Sequence, residues 1–250
     1  MIRLLLLLLL AGPAAAEEVV LGLSRDEVSI TATFDGSEIL FYGAVKREEP
    51  IPEDADLEVI VTVEGPSEPL TVRRKDRVAG IWINRAAMRM DLAPSFYAVA
   101  TTGPLREVIS HTEELRHNVT IPQSIRAVGE VEGVDDPEAF RQALIRIRAE
   151  DGLYQMLEGE VTLEEETLFY TRVELPANLT EGLYGVRIFL TRDREVIDVY
   201  RGEIEVQKVG LERFLFKLAQ EQPLVYGLLS IVIAIAAGWG ASAVFRALQS

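Results

Sequence analysis

The sequence predicts a mainly β protein, in which an exported antiparallel Ig-like β-sandwich contains an inserted helical segment and precedes one C-terminal transmembrane helix. Three observations support this fold class. Short runs of alternating apolar and polar residues, which have the period of a strand, fill residues 17–103 and 158–208. Residues 104–157, between them, contain a helical period. A run without a charged side chain, residues 224–245, lies close to the C-terminus.

The chain begins with the pattern of a secretory signal peptide. Arg3 precedes consecutive leucines at residues 4–10, and the small residues Ala14 and Ala16 follow a Gly-Pro pair. A basic start, a short apolar stretch and small residues at the cleavage position are the three parts of such a signal. The apolar stretch is too short to span a bilayer. We therefore expect residues 1–16 to be a signal peptide that is removed.

Residues 17–103 are predicted to form a periplasmic β-sandwich domain. Apolar and polar residues alternate over residues 28–34 and again over residues 57–63. The turn sequence Asp-Gly-Ser at residues 35–37 is followed by a second extended pattern at residues 39–45. Turn chemistry between two extended runs predicts a hairpin at this point.

Residues 104–157 are predicted to be a mostly helical connecting segment. Asp136, followed by proline and glutamate, has the residue types of a helix start. Phe140, Leu144 and Ile147 repeat at helical spacing, so we expect them to form the buried stripe of this helix.

Residues 158–208 form a second β-rich region. Tyr184 stands in a Gly-x-Tyr-x-Val pattern like the start of a strand in Ig-like sandwiches, where the tyrosine hydroxyl donates back to the backbone. The region is short for a complete sandwich. It forms either a small second sheet or one sheet with strands from residues 105–130, and the sequence leaves open whether the exported part is one domain or two.

Residues 223–245 are predicted to be a transmembrane helix, because the 22 residues from 224 to 245 would form a helix of about 33 Å, which crosses the hydrocarbon layer of a bilayer. Residues 209–222 are predicted to form a juxtamembrane amphipathic helix, which lies in the interface, packs on the second β region or continues the span. A cleaved signal and one late span place the bulk of the chain in the periplasm and residues 246–250 in the cytoplasm. Arg246 agrees with this orientation.

The span is rich in small residues four positions apart, a spacing that lets two helices approach closely. The candidate packing residues are Ala234, Ala237, Gly238, Ala241 and Ser242. They predict association with a polytopic membrane protein or with a second copy of the chain. The alternative is that alanine and glycine are simply common in membrane spans.

The composition excludes several classes of function. A formal net charge of −15 opposes nucleic-acid binding, which needs a basic surface. The absence of cysteine excludes disulfides, thiol catalysis and cysteine-ligated metals. The sequence contains no phosphate-binding loop and no nucleophile elbow. We therefore predict that the protein is not an enzyme, with no catalytic residue, no metal site and no cofactor.

His111, His117, Met88 and Met90 are the residues that a periplasmic copper site would use. The two histidines are six positions apart and do not share a helical face. We interpret them as surface histidines and the methionines as packed side chains.

One basic cluster stands out against the acidic background. Arg73, Arg74 and Lys75 are followed by Trp82 and Asn84. Basic residues beside a tryptophan are typical of contacts with an anionic ligand, a lipid headgroup or an acidic partner, so these five residues are the candidate contact site. The alternative is a charged strand edge that discourages aggregation, with Trp82 in the core.

The same segment and three later ones resemble the alphaproteobacterial putative transmembrane protein family. The resemblance rests on residues 73–84, 94–100, 175–178 and 182–187, and with the signal and the span it covers essentially the whole mature chain. It implies a Gram-negative inner membrane and periplasm, and it carries over no catalytic residues. It also implies genes that lie beside a sulfite or sulfonate exporter-like membrane protein, which favours an accessory role.

The topology, the small-residue helix face and the missing catalytic motifs predict a single-span inner-membrane protein with a periplasmic β-rich domain. Its expected role is a non-enzymatic accessory or interaction protein for a polytopic membrane partner, with an exporter among the candidates. The alternative is a periplasmic ligand-binding module that uses the basic Trp82 region to hold an anion or a lipid headgroup.

Overall fold

A computed structural model describes residues 18–23, 27–30, 36–47, 56–127, 136–208 and 218–248. The predicted signal peptide and residues 209–217 of the predicted juxtamembrane helix lie outside this part of the chain. The described residues confirm the predicted fold class in its main features, which are antiparallel sheets, an inserted helical segment and a C-terminal apolar helix. The chain divides into a β domain that ends at Val206 and a second unit that contains the C-terminal helix.

The β domain contains most of the strands and all of the short helices among the described residues. The strands are β1 (Glu18–Leu23), β2 (Glu27–Ile30), β3 (Ser37–Lys46), β4 (Leu57–Glu64), β5 (Ser67–Val78), β6 (Ile81–Pro94), β7 (Tyr97–Thr101), β8 (Arg126–Ala127), β9 (Tyr154–Glu158), β10 (Thr162–Glu164), β11 (Leu168–Leu175), β12 (Gly182–Arg192) and β13 (Glu195–Lys208). The helices are α1 (Leu105–Val108), α2 (His111–His117), α3 (Ile121–Ser124), α4 (Pro137–Glu150) and, in the second unit, α5 (Pro223–Leu248).

Strands of both β-rich regions lie side by side in two sheets. A four-stranded sheet has the order β1-β3-β11-β10, and a six-stranded sheet has the order β2-β13-β12-β4-β7-β9. The long β3 pairs antiparallel with β11, and β4 pairs antiparallel with β12 and β7, whereas β7 and β9 are parallel. The predicted hairpin between β2 and β3 is wrong, because these strands lie in different sheets. Turn chemistry predicts a change of chain direction but does not determine the partner strand.

Side-chain burial follows the strand period in the four-stranded sheet. On β3, Ile39, Phe41 and Val45 are buried, and on β11 the buried residues include Phe169 and Val173. Alternation with period two buries one face of the sheet and leaves the other exposed. β11 contacts β7 of the six-stranded sheet, so the buried faces of the two sheets form a sandwich core.

The central strand β4 is buried on both faces. Val59, Ile60 and Val61 are consecutive and all have an exposed fraction of 1% or less. Such a continuous apolar run is expected where a strand is covered on both sides. The helical segment provides the second cover, because α1 contacts β4 and because Val108 and Val119 are fully buried.

Capping interactions define the helices of this segment. Ser110 Oγ accepts a hydrogen bond from the backbone N–H of Glu113 at the start of α2, and Asn118 ends that helix with a left-handed φ of 49°. The predicted start of α4 is also present, since Asp136 Oδ1 accepts from the Ala139 N–H at 3.1 Å. Phe140 and Leu144 are buried as predicted, whereas Ile147 is 47% exposed.

Tyr184 makes the hydrogen bond that its sequence pattern predicts. Its hydroxyl donates to the backbone carbonyl of Thr180 at 2.7 Å, and its ring is buried. The bond fixes the start of β12 next to the core. The Ig-like classification of the sandwich stays a prediction.

The second unit contains the predicted membrane helix. α5 begins at Pro223, and its residues 223–240 are apolar and long enough to cross a membrane. This stretch is 0% buried within the chain. Residues 218–221 are helical, but Gln222 interrupts the helix before α5.

Candidate functional site

The candidate contact residues of the basic cluster lie on a long hairpin formed by β5 and β6. The two strands are 12 and 14 residues long and pair from Ser67 with Pro94 to Val78 with Ile81. The connecting residues Ala79 and Gly80 both have positive φ, at 50° and 86°. Two such residues form the tight turn whose twist matches that of a hairpin, and glycine takes this conformation without a steric penalty.

The hairpin is packed against the domain at its base and exposed to solvent at its tip. Met88 and Met90, which pair with Val72 and Leu70, are buried. Nearly all residues from 73 to 85 are exposed, so the outer half projects as a two-stranded ribbon. The methionines are therefore packed side chains, as the sequence interpretation expects.

Trp82 lies near the tip and is 66% exposed. The alternative in which Trp82 belongs to the core is therefore wrong. The alternating pattern of a strand shows which side chains share a face but not which face is buried. Here neither face is covered near the tip, because the ribbon projects away from the domain.

The strand register places four of the five candidate residues on one face. Trp82 pairs with Arg77, Asn84 pairs with Lys75, and cross-strand partners share a face of a sheet. Arg73 follows at the next equivalent position of β5. We call Arg73, Lys75, Arg77, Trp82 and Asn84 the basic hairpin face.

Arg74 is separated from this group because it occupies the opposite face. Its Nε lies 3.7 Å from Asp76 Oδ1, and its guanidinium carbon lies 5.9 Å from the centre of the Phe140 ring on α4. A guanidinium over an aromatic face is attracted to the ring electrons. Arg74 therefore helps to attach the hairpin to the domain.

Arg77 completes the basic hairpin face, although it lies next to the five candidate residues that the sequence indicates and is not one of them. The sequence contains the pattern needed to place Arg77, since an Ala-Gly pair between two extended runs predicts a hairpin turn. The register from that turn would have placed Arg77 opposite Trp82. The exposed aliphatic residues at the tip, Val78, Ile81 and Ile83, were missed for the same reason.

The hairpin reverses the charge of its surroundings. Residues 73–89 contain six cationic side chains and one carboxylate, which gives a formal charge of +5 in a chain of net charge −15. Basic residues concentrated on a protruding face create a local positive potential despite an acidic whole.

A buried polar cluster lies elsewhere in the domain, under the helical segment. Arg187 on β12 donates from Nη1 to the His117 carbonyl at 2.7 Å and from Nη2 to the Tyr97 hydroxyl at 2.8 Å. The Tyr97 hydroxyl in turn donates to the Val119 carbonyl at 2.9 Å. Burial, more than any neighbouring charge, raises the pKa of Tyr97 to about 12. Tyr97 therefore stays protonated at neutral pH, and its role in this cluster is to hold α2 and α3 on the sheet.

The histidines do not come together. His111 Nδ1 lies 3.2 Å from a carboxylate oxygen of Glu114, and His117 Nε2 lies 3.3 Å from one of Glu113, its neighbour on α2. Within the described residues, no group of three His, Asp or Glu side chains is arranged to hold a metal ion.

The candidate packing residues of the span share one side of α5. Ala234, Ala237 and Gly238 are exposed, and a methyl group built on Gly238 would meet no atom within 4 Å. Ala241 and Ser242 lie at the next positions of the same helix side.

These features define a protein class: a β-sandwich protein with a projecting basic hairpin and one candidate membrane helix. Comparison with protein families agrees with the candidate membrane helix, because residues 18–247 match the family described as "Putative transmembrane protein (Alph_Pro_TM)". The chain belongs to this alphaproteobacterial family. Among curated proteins, none matches the sequence.

Proposed function

We propose that the protein is a single-span inner-membrane protein that acts as a non-enzymatic accessory or interaction protein for a polytopic membrane partner. In this proposal residues 1–16 are a cleaved signal peptide, the β domain lies in the periplasm, and residues 246–250 lie in the cytoplasm. The observation that carries the proposal is α5, whose residues 223–240 are apolar and entirely unburied within the chain.

The side of α5 that contains Ala234 and Gly238 supports helix association. Helices in a membrane gain little from apolar contact alone, because lipid tails are equally apolar. Small residues allow the two backbones to approach closely and to make many packing contacts. The opposite side of the helix carries Ala236 and Gly240, which provides a matched set of small residues for comparison.

The titratable groups of the β domain support a non-enzymatic role. Nucleophilic catalysis needs a nucleophile within hydrogen-bond reach of a base. In the part of the chain that the structure describes, the rings of His111 and His117 contact glutamates of their own helix and not a serine or threonine hydroxyl. The raised pKa of Tyr97 makes its hydroxyl a poor nucleophile at neutral pH.

Co-purification of the full chain in mild detergent tests the proposal. We expect a polytopic protein to co-purify with the wild-type chain. The amount retained by Ala234→Leu/Gly238→Leu should be at least about tenfold lower, because two leucines separate the packed backbones. Ala236→Leu/Gly240→Leu, the same chemical change on the opposite helix side, should retain the partner. Recovery of the bare wild-type protein, or equal retention by both variants, would contradict the proposal.

A further inference from the structure

We propose that the basic hairpin face binds the anionic headgroup surface of a lipid bilayer, with the apolar tip of the hairpin in the interfacial layer. The inference rests on the proposed membrane anchorage, since a chain carried by α5 has a bilayer as its permanent neighbour. It does not depend on the polytopic partner.

Charge is the first step of the argument. Arg73, Lys75 and Arg77 are exposed, and no carboxylate shares their face between Thr71 and Arg89. Each Lys or Arg near an anionic membrane surface adds to the attraction, and the contributions of clustered cations accumulate. The acidic remainder of the chain would be repelled by the same surface, so the hairpin is the part that binds.

The apolar tip is the second step. Ile81 is 67% exposed and Trp82 is 66% exposed, and Val78 and Ile83 beside them are also exposed. Trp82 shares its face with Arg77, whereas Val78, Ile81 and Ile83 lie on the other face, so apolar side chains are exposed on both faces of the tip. Exposed apolar side chains clustered in this way mark the tip as a contact surface. Tryptophan is enriched at the membrane interface, where its ring is partly in the apolar layer and its N–H reaches polar headgroups.

Shape is the third step. A small soluble anion is bound in a concave site that encloses it. The tip is convex, exposed on both faces and only two strands wide. At its base the hairpin has a third strand, because β8 pairs with β6 at Met90 and Leu92. The outer half has only two strands, and an interface would cover it.

Trp82 itself provides the probe. The chain has two tryptophans, so Trp239→Phe leaves Trp82 as the sole indole. The full-length Trp239→Phe protein is placed in nanodiscs of phosphatidylcholine or of phosphatidylcholine with about 30% phosphatidylglycerol, a composition that supplies the negative surface. We expect a blue-shifted Trp82 emission and an acrylamide quenching constant about twofold lower in the anionic nanodiscs, because the ring enters the interface.

Two charge-matched variants in this background separate the hairpin from the total charge. Arg73→Gln/Lys75→Gln/Arg77→Gln should abolish the difference between the two nanodiscs. Lys46→Gln/Arg146→Gln/Arg172→Gln removes the same charge from exposed sites of the domain outside the hairpin. This variant should keep the difference in Trp82 emission between the two nanodiscs. Raising the salt concentration to about 1 M should also abolish the difference without any substitution, so the test does not depend on the folding of a variant.

Four results would overturn the inference. The first is Trp82 emission that is equal in both nanodiscs, and the second is an anionic effect that survives the hairpin substitutions. The third is reversal by inorganic phosphate but not by chloride of equal ionic strength, which would indicate a phosphate site. The fourth is protection of Trp82 in native membranes but not in pure lipid, which would indicate that the hairpin binds a protein. Because the nanodiscs contain no partner protein, failure here leaves the accessory role untouched.

Discussion

Glu64 is a half-buried carboxyl group at the end of β4, directly opposite Tyr97 on β7. Burial raises its pKa above the ordinary value of 4.5, and the nearby charge of Arg187 and a hydrogen bond from Ser67 only partly oppose this effect. A raised pKa means that the folded protein holds the proton more tightly than the unfolded chain does. Stability is therefore lost as the pH rises through the interval above 4.5.

We expect Glu64→Gln to make the protein more stable than the wild type at neutral pH, because glutamine keeps the shape of the side chain without the buried charge. The advantage should disappear as the pH falls below 4.5, where the wild-type carboxyl group is protonated in both states. Thermal unfolding of both proteins from pH 4 to pH 8 measures this difference in stability. The same change at the exposed Glu68 is the control, and a destabilised Glu64→Gln at pH 7 would contradict the argument.

Two aromatic residues illustrate how much of a residue's environment can be predicted from sequence. Tyr184 was predicted from its local pattern to donate to the backbone, and it donates to Thr180 four residues earlier. That bond is local, so the pattern contains the information. Trp82 was not predictable in the same way, because its exposure depends on how far the hairpin projects beyond the elements that cover its base.

At the scale of elements, Arg187 connects the six-stranded sheet to the helical segment. Its guanidinium donates to carbonyl groups at the end of α2, where a helix has no intrahelical donors left, and to Tyr97. This cluster was not predictable from the sequence, since Arg187 and Tyr97 are 90 positions apart. The start of α4, by contrast, was predictable from Asp136 because capping is local.

We expect Arg187→Met to destabilise the β domain by about 2 kcal/mol, because its charge-assisted hydrogen bonds to Tyr97 and to the part-buried end of α2 are lost. Arg187→Lys should recover part of this loss, since lysine keeps the charge but not the planar fork. Urea unfolding in detergent measures the loss, and hydrogen exchange should accelerate in α2 more than in β3. Arg172→Met, at an exposed ion pair with Glu38, is the control and should cost less than about 1 kcal/mol. An equal loss for both substitutions would contradict this role.

For the whole molecule, the arrangement of the sheets depends on contacts between distant parts of the chain. The strand pattern identified β3, β4, β11 and β12 correctly as extended segments. Their pairing, β3 with β11 and β4 with β12, joins residues more than 100 positions apart. Alternation specifies which face of a strand is buried but not its neighbour, which explains why the sequence left the number of domains open.

The orientation of the whole chain in the membrane can be measured because the protein has no cysteine. A single introduced thiol is then the only site for a maleimide. We expect Thr71→Cys, at an exposed position of β5, to react with a membrane-impermeant maleimide once the outer membrane is permeabilised. Ser250→Cys should react only after the inner membrane is broken, because Arg246 and the apolar α5 favour a cytoplasmic C-terminus.

The reverse pattern would place the β domain in the cytoplasm and remove the basis for a periplasmic role. Labelling of both thiols before the inner membrane is broken would show that α5 does not span the membrane.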